Sequence, residues 1–158
     1  MTDFPTTGRL IGVDHGTVRI GLAVCDVDQR LATPLHTYKR RTPEKDADYF
    51  KRLAVGETAA GWVVGLPLHM SGDEGEKAVE CRAFGAWLGE VSGRPVTFHD
   101  ERYTSAAADE ALLAAGLSPK QRKDKLDKVA AQLILQAYLG RGTGTPPDAQ
   151  AGTESEPR

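Results

Sequence analysis

Hydrophobic and polar positions follow two periods along this chain, and the switches between them mark its elements. Residues 10–15 and 19–25 are short β-rich runs separated by Gly16 and Thr17, which predicts two strands joined by a tight bend. Residues 33–38 supply a third strand. Spaced apolar positions at Phe50, Leu53 and Ala54 predict a helix over 43–59, with Gly56 weakening its end. The apolar run 62–66, closed by Pro67, has the unbroken hydrophobicity of a strand covered on both faces. A glycine-bearing loop over 67–75, a helix over 76–91 and a short strand over 95–99 follow. A helix capped by Thr104 and running to Gly116, then a final helix over 125–139, complete the order. Three strands followed by alternating helices and strands predict an α/β fold with a mixed sheet, antiparallel first and parallel later, flanked by helices. The domain is expected to span 1–140. The stretch 141–158, with Gly142, Gly144, Pro146 and Pro147 and almost no apolar side chains, is expected to be a disordered tail.

One position breaks the pattern. In the final helix Lys125, Lys128, Gln132 and Gln136 form a polar stripe, while Ile134, Leu135 and Tyr138 occupy the far side. At about 100° per residue, Asp127 falls about 145° from the centre of that stripe, between Ile134 and Tyr138. A carboxylate turned toward a core costs several kcal/mol unless it is protonated, paired or bound to a cation. Asp127 is therefore either half of a buried ion pair or part of a functional site.

Composition bounds the rest. With 158 residues, 40% hydrophobic and 27% charged, the chain is an ordinary globular domain of comfortable core size. No basic segment followed by an apolar stretch opens it and no segment approaches the length of a membrane span, so a cytoplasmic chain with no membrane partner is expected. Cys25 and Cys81 lack metal-ligand or redox spacing and read as buried, reduced thiols. A net charge of −2 gives no global support for polyanion binding, so any such claim rests on two local clusters. These are Lys39, Arg40 and Arg41, and the denser run Lys120, Arg122, Lys123, Lys125 and Lys128 around Asp127. A charge run is ordinarily a solvated helix face, and the interest of this one comes from the acid beside it.

Two further acids sit at predicted strand ends. Asp14 closes the first strand on the face shared with Gly12, and Glu101 follows the late strand, on the face of Thr97 and His99. Asp100 is the competing residue there, because boundaries read from sequence slide by a residue or two; Glu101 is favoured. In open α/β sheets ligands collect in the crevice at the carboxyl ends of the strands, where a nearby helix can present Asp127. Three acids converging there repel one another unless hard divalent cations neutralise them, and Mg²⁺ or Mn²⁺ suits an all-carboxylate set. No His-x-x-x-His or Cys-x-x-Cys spacing argues for zinc. Two such ions activate a water and stabilise the leaving oxygen in phosphodiester hydrolysis.

Four blocks carry a resemblance. Gly12-Val-Asp-His-Gly-Thr-Val-Arg-Ile-Gly21, Val64-Gly-Leu-Pro-Leu68 with Ser71-Gly72 and Glu74-Gly75, His99-Asp-Glu-Arg-Tyr-Thr-Ser105, and Lys125-Leu-Asp-Lys-Val-Ala-Ala131 together resemble the YqgF/RuvX family over about residues 9–140. The resemblance implies a ribonuclease H-like fold and a nuclease acting in 5′-end processing of pre-16S rRNA during ribosome biogenesis, or in resolving Holliday junctions. Carried over by position, it implies Asp14, Glu101 and Asp127 as the catalytic and metal-binding acids. Related resolvases carry a fourth acid one turn beyond the third, where this chain has Ala130. Asp124, one turn earlier, is expected at the helix start, where a negative charge favours the positive end of the dipole.

Arg19 and Arg102 are candidates for gripping phosphate oxygens or for pairing with the acids, and Lys123, Lys125 and Lys128 for a substrate track. His15 and His99 are left outside the catalytic set. An ATP-binding sugar-kinase reading of Asp14-x-Gly16-Thr17 fails for want of a second such motif. A catalytically silent RNA-binding assembly module stays open, as do RNA against branched DNA as partner and monomer against homodimer.

Overall fold

The computed structural model describes residues 4–68, 71–101, 116 and 118–141, and for 120–125 the backbone alone. The expected helix from Thr104 to Gly116, apart from Gly116 itself, lies outside the described residues, as do Arg102, the side chains of Lys123 and Lys125, and the stretch 142–158. Strands β1 (Arg9–Asp14), β2 (Arg19–Cys25) and β3 (Ala32–Lys39) precede helix α1 (Pro43–Gly56). Strand β4 (Ala59–Leu66), helix α2 (Glu76–Ser92), strand β5 (Val96–Asp100) and helix α3 (Pro119–Gly140) follow.

The five strands form one sheet in the order β3-β2-β1-β4-β5. β1 pairs antiparallel with β2 and parallel with β4, and β4 pairs parallel with β5. This is the mixed sheet expected from the element order. Pro34 is tolerated because β3 is an edge strand, and a register shift beside it leaves Leu35 unpaired in the ladder.

Alternation along the strands divides the core in two. Ile11, Val13, Ile20, Leu22, Trp62 and Val64 face α1 and α2, where Phe50, Phe84 and Leu88 meet them. Leu10, Ala23, Cys25 and Val63 face α3, where they meet Ala131, Ile134, Leu135 and Tyr138. Cys25 and Cys81 are both free and buried, as expected. Three glycines let α3 sit close to the sheet. A Cβ on Gly12 would stand 2.8 Å from the Leu135 Cβ, one on Gly65 would overlap the Glu101 carboxylate, and one on Gly21 would overlap the Asp127 carbonyl.

One expectation about α3 needs correction. The helix starts at Pro119, so Asp124 lies in its second turn and not at its start. The polar stripe also makes structural bonds: Gln136 accepts from Ala32 N at 2.9 Å, Gln132 donates to Ala32 O at 3.1 Å, and Gln136 donates to Arg30 O at 3.0 Å. These amides satisfy backbone groups where edge strand β3 begins, which periodicity along one helix does not reveal.

Candidate nuclease site

The ends of β1, β4 and β5 lie side by side, since Val13 pairs with Val64 and Leu66 with Asp100. Asp14 is the last residue of β1 and Glu101 follows directly on β5, held by a bond from its own N–H to Leu66 O at 3.1 Å. On β5, Val96 and Phe98 pack into the α1/α2 core, whereas the His99 ring meets Tyr138 of α3 at 6.0 Å. Glu101 continues the His99 face and lies over Gly65 beside Ile134. Glu101 thus turns toward the α3 side, where Asp14 and Asp127 are.

Asp127 faces inward, as its helical phase predicts. Its carboxylate receives the Arg19 Nε–H at 3.1 Å, so Arg19 is paired with an acid of the site. The backbone of Asp127 rests on Gly21, the direct cross-strand partner of Asp14. Burial, reinforced by the charges of Glu101 and Asp127 and opposed by Lys77, pushes the Asp14 carboxyl up to about 8. Burial also pushes Glu101 up to about 7, with Lys77 opposing and Asp100 adding to the rise. Asp14 is thus the shared member of the cluster, with an acid acting on it from each side.

Among the described residues, no three His, Cys, Asp or Glu side chains close into a ready-made ion cage. The donor set still fits a hard divalent cation, because it consists of carboxylates alone, and burial of Asp14 and Glu101 disfavours their charged forms until a cation compensates them.

Lys77 is the residue that sequence reading passed over. It sits in the first turn of α2, and its charge opposes the raised carboxyls of both Asp14 and Glu101. Its one sequence signal is position, just after a glycine loop leaving a parallel strand at the edge where ligands gather. The rest of that loop is tied by Arg82, which grips Glu74 through both carboxylate oxygens at 2.6 and 2.9 Å.

His15 turns to the opposite side of the sheet. Its ring lies 4.7 Å from that of Phe84, and Arg40 Nη1 approaches its Nε2 at 3.2 Å. Burial, with Arg40 and Lys77 adding, drives its pKa down to about 4, so it is neutral at physiological pH. Burial beside Glu101 and Asp14 pushes the Cys81 thiol up to about 12, which leaves it protonated and unreactive. Lys128 adjoins Asp127 and is half-buried. Among the described residues, no helix is long and apolar enough to cross a membrane.

Residues 8–141 match the family described as "RuvX: Holliday junction resolvase". A Rhodopirellula baltica protein named for a proposed pre-16S rRNA nuclease activity is 50% identical over 136 residues, covering 86% of this chain and 79% of that protein. A Cereibacter sphaeroides protein of the same name is 44% identical over 141 residues, covering 89% and 88%. Among solved structures, Thermus thermophilus RuvC in complex with a Holliday junction substrate superimposes with a TM-score of 0.52 at 18% identity, over 87% of this chain and 96% of that one. The fold is therefore the ribonuclease H-like fold of such resolvases, and the chain belongs to the RuvX family.

Proposed function

We propose that this protein is a divalent-metal-dependent endonuclease that hydrolyses phosphodiester bonds in structured nucleic acid, with the 5′ end of pre-16S rRNA as its substrate in the cytoplasm. The observation that carries the reading is the carboxyl of Asp14, held at the carboxyl edge of the sheet with Glu101 and Asp127 both raising its proton affinity. Asp14, Glu101 and Asp127 are the residues to hold Mg²⁺ or Mn²⁺, which when bound supplies an activated water and a stabilised leaving oxygen. Around them the chain supplies positive charge. Lys77 faces the acids from α2, and Arg19 offers a guanidinium whose fork matches phosphate once it leaves Asp127. Lys128 and, from the sequence, Arg102, Lys123 and Lys125 extend that charge along the strand's path. His15 and Cys81 stay outside the catalytic set, the His15 ring lying against Phe84 and Cys81 being buried in the α1/α2 core.

Junction resolution is the second reading, favoured by the family description and by the fold shared with a resolvase. Against it stands Ala130, a buried small residue where resolvases of this kind carry a fourth acid. Incubating the protein with precursor rRNA and with a four-way DNA junction, in Mg²⁺ or in chelator, separates the two. Asp14→Asn is expected to keep the fold and lose the cleavage, whereas a silent binding module would show no metal-dependent cleavage in either form.

A further inference from the structure

The β1–β2 bend that carries Asp14 toward α3 carries His15 and Thr17 into a cleft on the other side of the sheet. This cleft, about 820 Å³, is bounded by the start of α1 and by α2. Such a volume is in the range of about 300–1,000 Å³ typical of small-ligand sites. Its apolar wall comes from Phe84 and Trp87, whose rings stand 5.5 Å apart, with Ala83 beside them. The opposite wall is basic.

Arg40 is fixed there by several partners at once. Its Nη1 donates to Gly16 O at 3.3 Å and meets His15 Nε2, its Nε pairs with the buried Asp46 at 3.6 Å, and its guanidinium lies 5.5 Å from the Phe84 ring centroid. Asp46 is itself committed, accepting from Tyr38 OH at 2.6 Å and Arg41 N at 2.8 Å. Arg41 stands at the exposed rim. Glu80 is the acid on the α2 rim. An aromatic wall facing pre-positioned arginines is the arrangement that receives one unpaired base by stacking and its phosphate by charge.

The geometry points to this cleft as a subsite for a single unstacked nucleotide of the substrate strand, adjoining the scissile phosphate across the Gly16–Thr17 bend. The inference rests on the nuclease reading for its substrate class. It adds a reason for the enzyme to act at single-stranded ends, bulges or branch points: a base inside a duplex cannot enter.

The test is binding without cleavage, in chelator, with the full chain. Two probes of the same sequence are used, a single-stranded oligonucleotide and its blunt duplex, while tryptophan emission is followed. Trp62 is fully buried and donates to Ser92 Oγ, so a change in emission reports Trp87. The single strand is expected to quench emission saturably. Trp87→Leu and Arg41→Gln are each expected to weaken single-strand binding by roughly tenfold and leave duplex binding unchanged. Arg41 lies outside the core, so its variant stays informative if Trp87→Leu folds poorly. Equal single-strand affinity in wild type and Arg41→Gln overturns the subsite. Unmoved tryptophan emission, with affinity lost in Arg41→Gln alone, overturns base stacking and leaves only backbone charge. Because no metal is present, neither outcome depends on whether the acids cleave.

Discussion

Gly21 lies directly across the β1–β2 ladder from Asp14, and the backbone of Asp127 occupies the space that a side chain on Gly21 would fill. The third acid therefore reaches the first because the residue opposite the first has no Cβ. Gly21→Ala is expected to push α3 off the sheet, with a loss of about 1–3 kcal/mol from overpacking, measured by denaturant unfolding. Activity should fall further than that loss explains, because the displacement moves Asp127, one of the proposed metal-binding acids. A variant with wild-type stability and cleavage would show that α3 does not need this close approach.

Arg19 holds Asp127 at 3.1 Å with its side chain 39% exposed, so the pair contributes modestly to stability, under about 1 kcal/mol. On the proposed reading its larger effect is competition, since a guanidinium on Asp127 occupies an oxygen that the proposed cation would take. Arg19→Gln is expected to tighten Mg²⁺ binding by about fivefold in calorimetry while slowing cleavage through loss of a phosphate contact. Weaker metal binding in Arg19→Gln would contradict this.

Asp14 gives a dependence on pH whose sign is fixed. Its carboxyl titrates at about 8 in the folded protein against 3.8 ordinarily, so the folded state binds more protons than the unfolded state between those values. Its contribution to stability is fully present below about pH 4 and is lost as pH rises toward 8, on the order of a few kcal/mol in metal-free protein. Glu101 acts in the same direction up to about 7. Asp14→Asn should remove the larger part, so that in chelator its melting temperature exceeds that of wild type at pH 8 but not at pH 4. Mg²⁺ should raise the melting temperature of wild type more than that of the variant. Parallel melting profiles for the two proteins would refute the cluster.

Lys123, Lys125 and Lys128 are expected to act as a sequence-independent track. Replacing two of them with Gln should lower duplex affinity at every sequence and reduce the slope of log K against log salt by about 1.8. An unchanged slope would remove the lysines from the binding surface.

The inward phase of Asp127 was legible because a single acid among Ile134, Leu135 and Tyr138 conflicts with helical burial, and such a conflict needs no knowledge of the partner. Glu101 was legible only up to parity: one residue of uncertainty at the end of β5 exchanges it with Asp100. The neighbours that Glu101 meets, Gly65 and Ile134, come from other elements. Lys77 left no periodic trace, because an exposed lysine in a first helical turn looks the same whether it faces water or two acids. The bonds of the Gln132 and Gln136 amides left no trace for a similar reason, since the strand they bind is about a hundred residues away in sequence. The cleft beside His15 was out of reach altogether. Its walls come from the β1–β2 bend, the segment from Arg40 into α1, and α2, and no local pattern records their meeting.

The most direct test is cleavage of precursor 16S rRNA and of a four-way DNA junction in parallel, by wild type and Asp127→Asn, with Mg²⁺ present or chelated. The account predicts that wild type cuts the RNA only with Mg²⁺, and that the variant melts like wild type while its rate falls by about 100-fold or more. Mg²⁺-dependent cleavage by Asp127→Asn at the wild-type rate, or no metal-dependent cleavage of either substrate by wild type, would contradict it.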